Sequence, residues 1–327
     1  MAQRLGYSST ARLLIVNADD FGMSDEVNRA IVCGLTDGVL TSASAMVSAA
    51  AFPAVVEFSK KHRQADIGIH LTLTSEWDDN RWGPVAPTTT VPSLADGDST
   101  MWRNAGTLYR RASIVEVEIE LRAQIDTALN AGLDVSHLDS HMFTMHSGNL
   151  PYCDLYARLG DEYSLPIRAA SALLLSIGLT SSARHPVLPL RGAKRALLLR
   201  SGFASVLKAA RKRRVLFPDN LVIMGPTDSA MAVSFWSEVI DRLPAGVTEI
   251  YCHPAIPTPE IRRYVTDIAS READFQFFTS ERARSLLSAA EIKLLSYKTI
   301  RTAMRDSRER ARDESNDRNL RIEAQAN

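Results

Sequence analysis

The stretch Arg12–Val16 reads RLLIV, an unbroken apolar run that ends in the polar cluster Asn17, Asp19 and Asp20. A run without alternation is apolar on both faces, the pattern of a strand buried inside a parallel sheet. Asn17–Gly22 then predicts a turn. Ser24 or Asp25 can cap a helix that carries Val27, Ala30, Ile31 and Leu35 at helical spacing, with Gly38 as the stop. The rhythm repeats: Thr41–Val47 predicts a strand, Phe52–Lys61 a helix, Asp66–Leu73 (DIGIHLTL) a strand, Ile114–Ala131 a helix and Val135–His141 a strand. Further apolar runs at Pro166–Ala169, Leu221–Met224, Thr248–Cys252 and Phe275–Phe278 add strands, whereas Ala170–Leu179 suits a buried helix. Strands alternating with helices in this way predict an α/β fold with a parallel barrel of seven or eight strands.

Three stretches interrupt the rhythm. Thr74–Thr107, rich in Pro, Asp, Gly and Trp, is longer than an ordinary connection and reads as an inserted flap. Arg184–Arg214 is strongly basic and carries Arg211, Lys212, Arg213 and Arg214 in a row. A solvated helix face is its plainer reading, and contact with phosphate or an acidic surface the sharper one. From Arg301 the chain is charged, which predicts a solvated helix or a frayed tail. The expected organisation is one barrel domain over 1–300, with insertions near 74–107 and 174–216, followed by a tail over 301–327.

Composition narrows the classes. Of 327 residues 45% are hydrophobic and 23% charged, enough for a sizeable core. Lys and Arg (38) balance Asp and Glu (38), so no global field draws the chain to nucleic acid or to an anionic membrane. Cys33, Cys153 and Cys252 show no CxxC spacing, which predicts neither a disulfide framework nor a structural zinc site and fits a reducing cytoplasm. The first residues lack the long apolar stretch of a signal peptide, and no segment is long and apolar enough for a membrane anchor.

Acidic and histidine residues cluster where the strands are expected to end, the face on which βα-barrels build active sites. Asp19 and Asp20 follow the first strand, and adjacent positions send their side chains in different directions, so that one can bind a metal while the other handles a proton. A turn-forming Asp pair is the plainer alternative. His70 in GIHLTL points away from the side of Ile69 and Leu71. In SHLDSH, alternation puts His137, Asp139 and His141 on one strand face, a dense set of ligands and ligand partners. His146 follows in the next loop, and His253 stands after EIYC, before Pro254. A carboxylate and two neutral imidazoles make a ligand set for a divalent ion with positions left open, for which zinc, manganese, nickel and magnesium can each be argued. Such an ion activates water and polarises a carbonyl, a carboxylate takes the water's proton, and a separate acid protonates a departing amine.

LLIVNADDFGMS at 13–24, GVLTSASAMV at 38–47, IGIHLTLT at 67–74, SHLDSH at 136–141 and CHPA at 252–255 occur in that order. Together they resemble the YdjC-like carbohydrate deacetylases, which include chitooligosaccharide deacetylases and hopanoid-biosynthesis relatives. The resemblance implies a distorted (β/α) barrel similar to polysaccharide deacetylases and hydrolysis of the N-acetyl group of an amino sugar or oligosaccharide by metal-bound water. It implies Asp20, His70 and His141 as ligands of one divalent ion, magnesium or zinc first, with manganese, nickel and cobalt admitted. Asp19 then resembles the general base and His253 the general acid, with His137 and Asp139 supporting the ligands. Arg168 in LPIRAA orients the base, touches a sugar hydroxyl or forms a structural ion pair. The family's HHVH pattern is HMFTMH here, so the expected substrate contact of His146 rests on a displaced residue. Trp82, with Trp77 and Trp102, offers a ring for a sugar to stack on. Relatives often pair, so a homodimer is admitted. The rival readings are a metal-dependent phosphoesterase on the same barrel, using the 211–214 run, and a non-catalytic carbohydrate-binding protein.

Overall fold

The computed structural model describes residues 1–146, 149–175, 193–223 and 228–326. Its strands are β1 (Arg12–Phe21), β2 (Ser42–Ala45), β3 (Ile67–Leu71), β4 (Val135–Ser140), β5 (Ala172–Leu175), β6 (Asn220–Ile223), β7 (Gly246–Cys252) and the short β8 (Lys293–Leu294). They pair in parallel in the order β4-β3-β2-β1-β7-β6-β5. The result is a curled half-barrel with helices between its strands. β1 is central, and every residue from Leu13 to Phe21 is buried, as an uninterrupted apolar run requires. β7 flanks one side of it. On the other side β2 pairs with the Asn17–Phe21 half, while β8 fills the space beside Leu13 and Leu14.

Several expected elements sit differently. The turn expected at Asn17–Gly22 is instead a continuation of β1 to Phe21, with a register shift between Ala18 and Phe21 in its pairing with β2. Pro166–Ala169 makes one bridge, Ile167 to Leu138, rather than a strand. Phe275–Phe278 ends the helix Ile268–Phe278, its Phe277 and Phe278 rings packed near Trp236. Short apolar runs suit a buried strand or a buried helix equally well. The same ambiguity acts in reverse at Ala170–Leu179, where Ala172–Leu175 is β5 and pairs with β6. The remainder of that run, and Met224, lie outside the described residues.

The flap is packed rather than loose. Glu120 accepts hydrogen bonds from the Val85 and Ala86 amides (2.9 and 2.8 Å), Glu116 accepts from Ser93, and Trp82, Leu94 and Met101 are buried. The charged C-terminal stretch is a helix, Tyr297–Ala326, whose first turns dock under the sheet through buried Ile300 and Met304 and through Arg301, which donates to Asp134 and to the Val135 carbonyl. Of the basic segment, Ala193–Arg213 is a helix and 184–192 lie outside the described residues. Among the described residues no helix is long and apolar enough to cross a membrane.

Candidate active site

The end of β1 sets the geometry. Asp20 adopts a left-handed backbone (φ 69°), which aspartate tolerates better than most residues, and its carbonyl accepts from the Met23 amide at 3.0 Å. Gly22 follows at φ 106°, where an added Cβ would meet the Met46 carbonyl at 3.1 Å. The kink separates the two aspartates. Asp19 faces Arg168, and Asp20 faces the ends of β3 and β4.

Asp20 Oδ2 accepts from Arg271 at 2.9 Å. Its Oδ1 is buried without a hydrogen-bond partner among the described residues and stands 3.5 Å from His70 Nε2 and 3.4 Å from His141 Nδ1. Each imidazole spends its other nitrogen on a carboxylate: His70 Nδ1 lies 2.8 Å from Asp139, and His141 Nε2 3.0 Å from Glu76. An N–H donated outward leaves a lone pair turned inward, the arrangement in which histidines ligate metals. The three inward atoms lie within 4.8 Å of one another. Burial pushes the Asp20 carboxyl up, but Arg271 and His141 outweigh it and hold the pKa well below the usual carboxylate range. Burial pushes His141 down, yet Glu76 and Asp20 raise it to about 10. The Asp20 shift reflects its cationic neighbours and keeps the carboxylate charged, while the His141 shift reflects the carboxylates of Glu76 and Asp20, which favour positive charge beside them. An orphaned carboxylate oxygen facing two imidazole nitrogens therefore fits a divalent ion. Asp19, His70 and Asp139 form a second possible set, but Arg168 already occupies both of its carboxylates.

Arg168 is fully buried. It grips Asp19 through two hydrogen bonds (2.7 and 2.6 Å) and also meets Asp139 at 2.9 Å and Glu249 at 2.8 Å. Of the roles expected for it, holding the Asp19 carboxylate is the one its contacts satisfy. His253, a third of its side chain exposed, places Nε2 3.9 Å from Asp19 Oδ2, and its backbone amide donates to Asp274 at 3.0 Å. Burial pushes the His253 pKa down, with Asp20 opposing and Arg271 adding to the shift.

Of the two residues expected to support the ligands, Asp139 is the one that reaches one of their rings, that of His70. His137 lies one layer deeper, stacked on Tyr297 at 3.8 Å, and burial pushes its pKa down to about 4, so it is neutral. Two expected substrate contacts are corrected. His146 is buried, with Nε2 2.9 Å from the Arg168 carbonyl, because Met142 and Phe143, both left-handed (φ 54° and 53°), take the cleft-facing positions after His141. Trp82 is buried with its indole N–H donated to the Thr74 carbonyl at 2.8 Å, its ring 5.9 Å from that of His141; Trp77 lines the cleft instead.

Sequence reasoning missed Glu76, Glu249, Arg271 and Asp274. Glu249 shares the alternation of Tyr251 and His253 along β7, a signal the pattern did contain. Arg271 sits on a helix far along the chain from Asp20 and gave no local sign. The cleft over these residues measures about 660 Å3, with Trp77, Tyr251 and Tyr264 among its walls.

A family model described as YdjC-like protein matches residues 13–289. A carbohydrate deacetylase of Brevibacillus brevis is 41% identical over 47% of this chain, a match that spans 58% of that relative. A carbohydrate deacetylase of Thermus thermophilus is 30% identical over 93% of this chain and 99% of its own length. The crystal structure of a putative cellobiose-phosphate cleavage protein from Enterococcus faecalis V583 shares the fold, with TM-score 0.68 and 24% identity over 89% of this chain and 99% of that one.

Proposed function

The chain belongs to the YdjC-like protein family, and from that premise we propose that it is a metal-dependent hydrolase that removes the N-acetyl group from an amino sugar or oligosaccharide. The observation that carries the reading is the buried, unpartnered Oδ1 of Asp20 between His70 Nε2 and His141 Nδ1. The name carbohydrate deacetylase carried by relatives 30–41% identical supports the substrate class.

Asp20, His70 and His141 would hold the ion. Bound there, it would supply Lewis-acid polarisation of the acetyl carbonyl and acidify water in the cleft. Asp19 is the general base, fixed in one orientation by the Arg168 fork so that a proton meets an oxygen already in place. His253 is the general acid. It shares the cleft with Asp19, and a ring whose pKa is pushed down surrenders its proton readily to a departing amine. Trp77, Tyr251 and Tyr264 offer aromatic faces to a sugar ring. The curled sheet is read as a distorted (β/α) barrel over residues 1–300, with the 74–107 and 174–216 stretches as insertions.

The test is acetate release by protein reconstituted with magnesium, zinc, manganese, nickel or cobalt, across N-acetylated mono- and oligosaccharides, with metal content measured on the same samples. Turnover that tracks bound metal is expected. Phosphate release from phosphate esters without acetate release would overturn the reading in favour of a phosphoesterase, and tight sugar binding without turnover in loaded protein in favour of a binding protein.

A further inference from the structure

Five arginines converge on a cleft of about 410 Å3 at the end of the sheet opposite the candidate active site. Arg4 comes from the N-terminal turn, Arg213 and Arg214 from the end of the helix Ala193–Arg213, and Arg308 and Arg312 from the C-terminal helix. The topology fixes the location. Arg4 precedes β1, Leu216 in the cleft wall precedes β6, and the C-terminal helix is tied to Val135 at the start of β4. Asp19, Asp20, His141 and His253 instead lie at or just beyond the far ends of β1, β4 and β7.

The charges in this cleft are not balanced. Asp161 is engaged by Arg308 at 2.5 Å, and Arg213 is engaged by Asp154 at 2.9 Å. The side chains of Arg4, Arg214 and Arg312 make no hydrogen bond or ion pair among the described residues. Three uncompensated guanidinium groups around one cavity, in a chain of zero formal net charge, form a local field of one sign. Arg214 also occupies the left-handed position that closes its helix (φ 57°), where glycine is the low-cost residue. Guanidinium forks match phosphate oxygens in spacing and charge. None of the exposed large apolar residues lines the cleft, which disfavours a lipid surface, and its volume lies in the range of small-ligand sites, roughly 300–1,000 Å3.

We propose that this arginine cleft binds a small phosphate-bearing anion, with a diphosphate group as the matching chemistry. The site is separate from the deacetylase reading and stands or falls without it. The test is calorimetric titration of the full chain with inorganic pyrophosphate at low and at physiological salt, alongside a nucleoside diphosphate, which asks whether the group is read alone or as part of a nucleotide. One saturable site is expected, weaker at the higher salt. Arg214→Asn combined with Arg312→Gln should weaken it at least about tenfold without changing acetate release. Both positions are exposed, so the fold should survive, and thermal unfolding checks this. Absence of saturable binding, binding unchanged by the double substitution, or association with anionic vesicles but not with pyrophosphate would each overturn the proposal.

Discussion

The Tyr297 hydroxyl donates to Glu249 Oε2 at 2.5 Å, and Glu249 Oε1 accepts from Arg168 Nε at 2.8 Å, so the arginine that grips Asp19 is itself held from the start of the C-terminal helix. Tyr297 lies beyond residue 289, where the family model's match ends, and its ring also stacks on His137. Burial pushes the Glu249 carboxyl up to about 7, against Arg168 and the Tyr297 hydroxyl, which favour its charged form. Tyr297→Phe keeps the ring stack and removes only the donor. The Glu249 pKa then rises further, and the neutral carboxyl loosens Arg168 at a higher pH than in the wild type. The expected outcome is a lower kcat with KM little changed and the acid limb of the kcat profile moved upward, at a stability cost of about 1–3 kcal/mol for the buried acceptor left unpaired. A pH–rate profile and thermal unfolding of the two proteins check it; superimposable profiles would dissolve the link.

The two aspartates at the end of β1 predict opposite phenotypes. Asp20→Asn removes charge from the carboxylate that faces both histidine nitrogens, so bound metal and turnover should fall together. Asp19→Asn leaves the ligand set intact, so metal content should hold while turnover drops on the order of 100- to 10,000-fold, the usual contribution of a positioned proton acceptor. Elemental analysis paired with acetate release separates them. Full activity in the Asp19 variant would remove it from the role of base.

How much of this was legible depends on the range of the signal. Asp19, Asp20, His70 and His141 could be read because each follows or ends an apolar run, and the order of strands along the chain carries such residues to one face of a parallel sheet. Period-two alternation set His137 and Asp139 on one face of β4, but not which of them meets a ring of the site: Asp139 reaches His70, whereas His137 stacks on Tyr297 beneath it. His146 and Trp82 were misplaced because their directions depend on loop backbone, on two left-handed residues in one case and on a hydrogen bond to the Thr74 carbonyl in the other. Glu76 and Arg271 reach the site from a loop and a helix that only tertiary packing brings near, and single-sequence periodicity holds no information about that.

At the opposite end, Asp134 ties down the C-terminal helix. Arg301 holds its carboxyl down to about 2, with burial opposing and Lys298 assisting. A carboxylate whose folded pKa is depressed contributes stability that is present above its ordinary value near 4 and lost as pH falls through about 2. Because Asp134 is more than half exposed, solvent screens the pair and the global effect is small. The local effect should still be measurable. Amide exchange at Ile300–Met304 should accelerate between pH 4 and 2 relative to the sheet, and Asp134→Asn should show the faster exchange already at neutral pH. Equal exchange in the two proteins at neutral pH would mean that Ile300 and Met304 alone hold the helix.

Gly68 tests whether the floor of the site is as rigid as its packing implies. A Cβ built there would stand 2.3 Å from His137 Cε1 and Nδ1, closer than real Cβ contacts come, and the obstacle is a whole ring rather than the tip of a flexible chain. That ring cannot swing aside without leaving Tyr297, on which it stacks with planes only 10° apart. Gly68→Ala must therefore shift β3 or break the stack, and overpacking of this kind costs about 1–3 kcal/mol. His70 is two residues along the same strand, so a shift of β3 moves its Nε2 relative to Asp20, and metal affinity should fall along with stability. Gly97→Ala, where an added Cβ meets nothing within 4 Å, should leave both unchanged. Denaturant unfolding and metal titration of the two variants give the comparison. Loss of stability in Gly68→Ala with metal affinity retained would show that the His137–Tyr297 stack yields and that β3 does not transmit strain to the ligands.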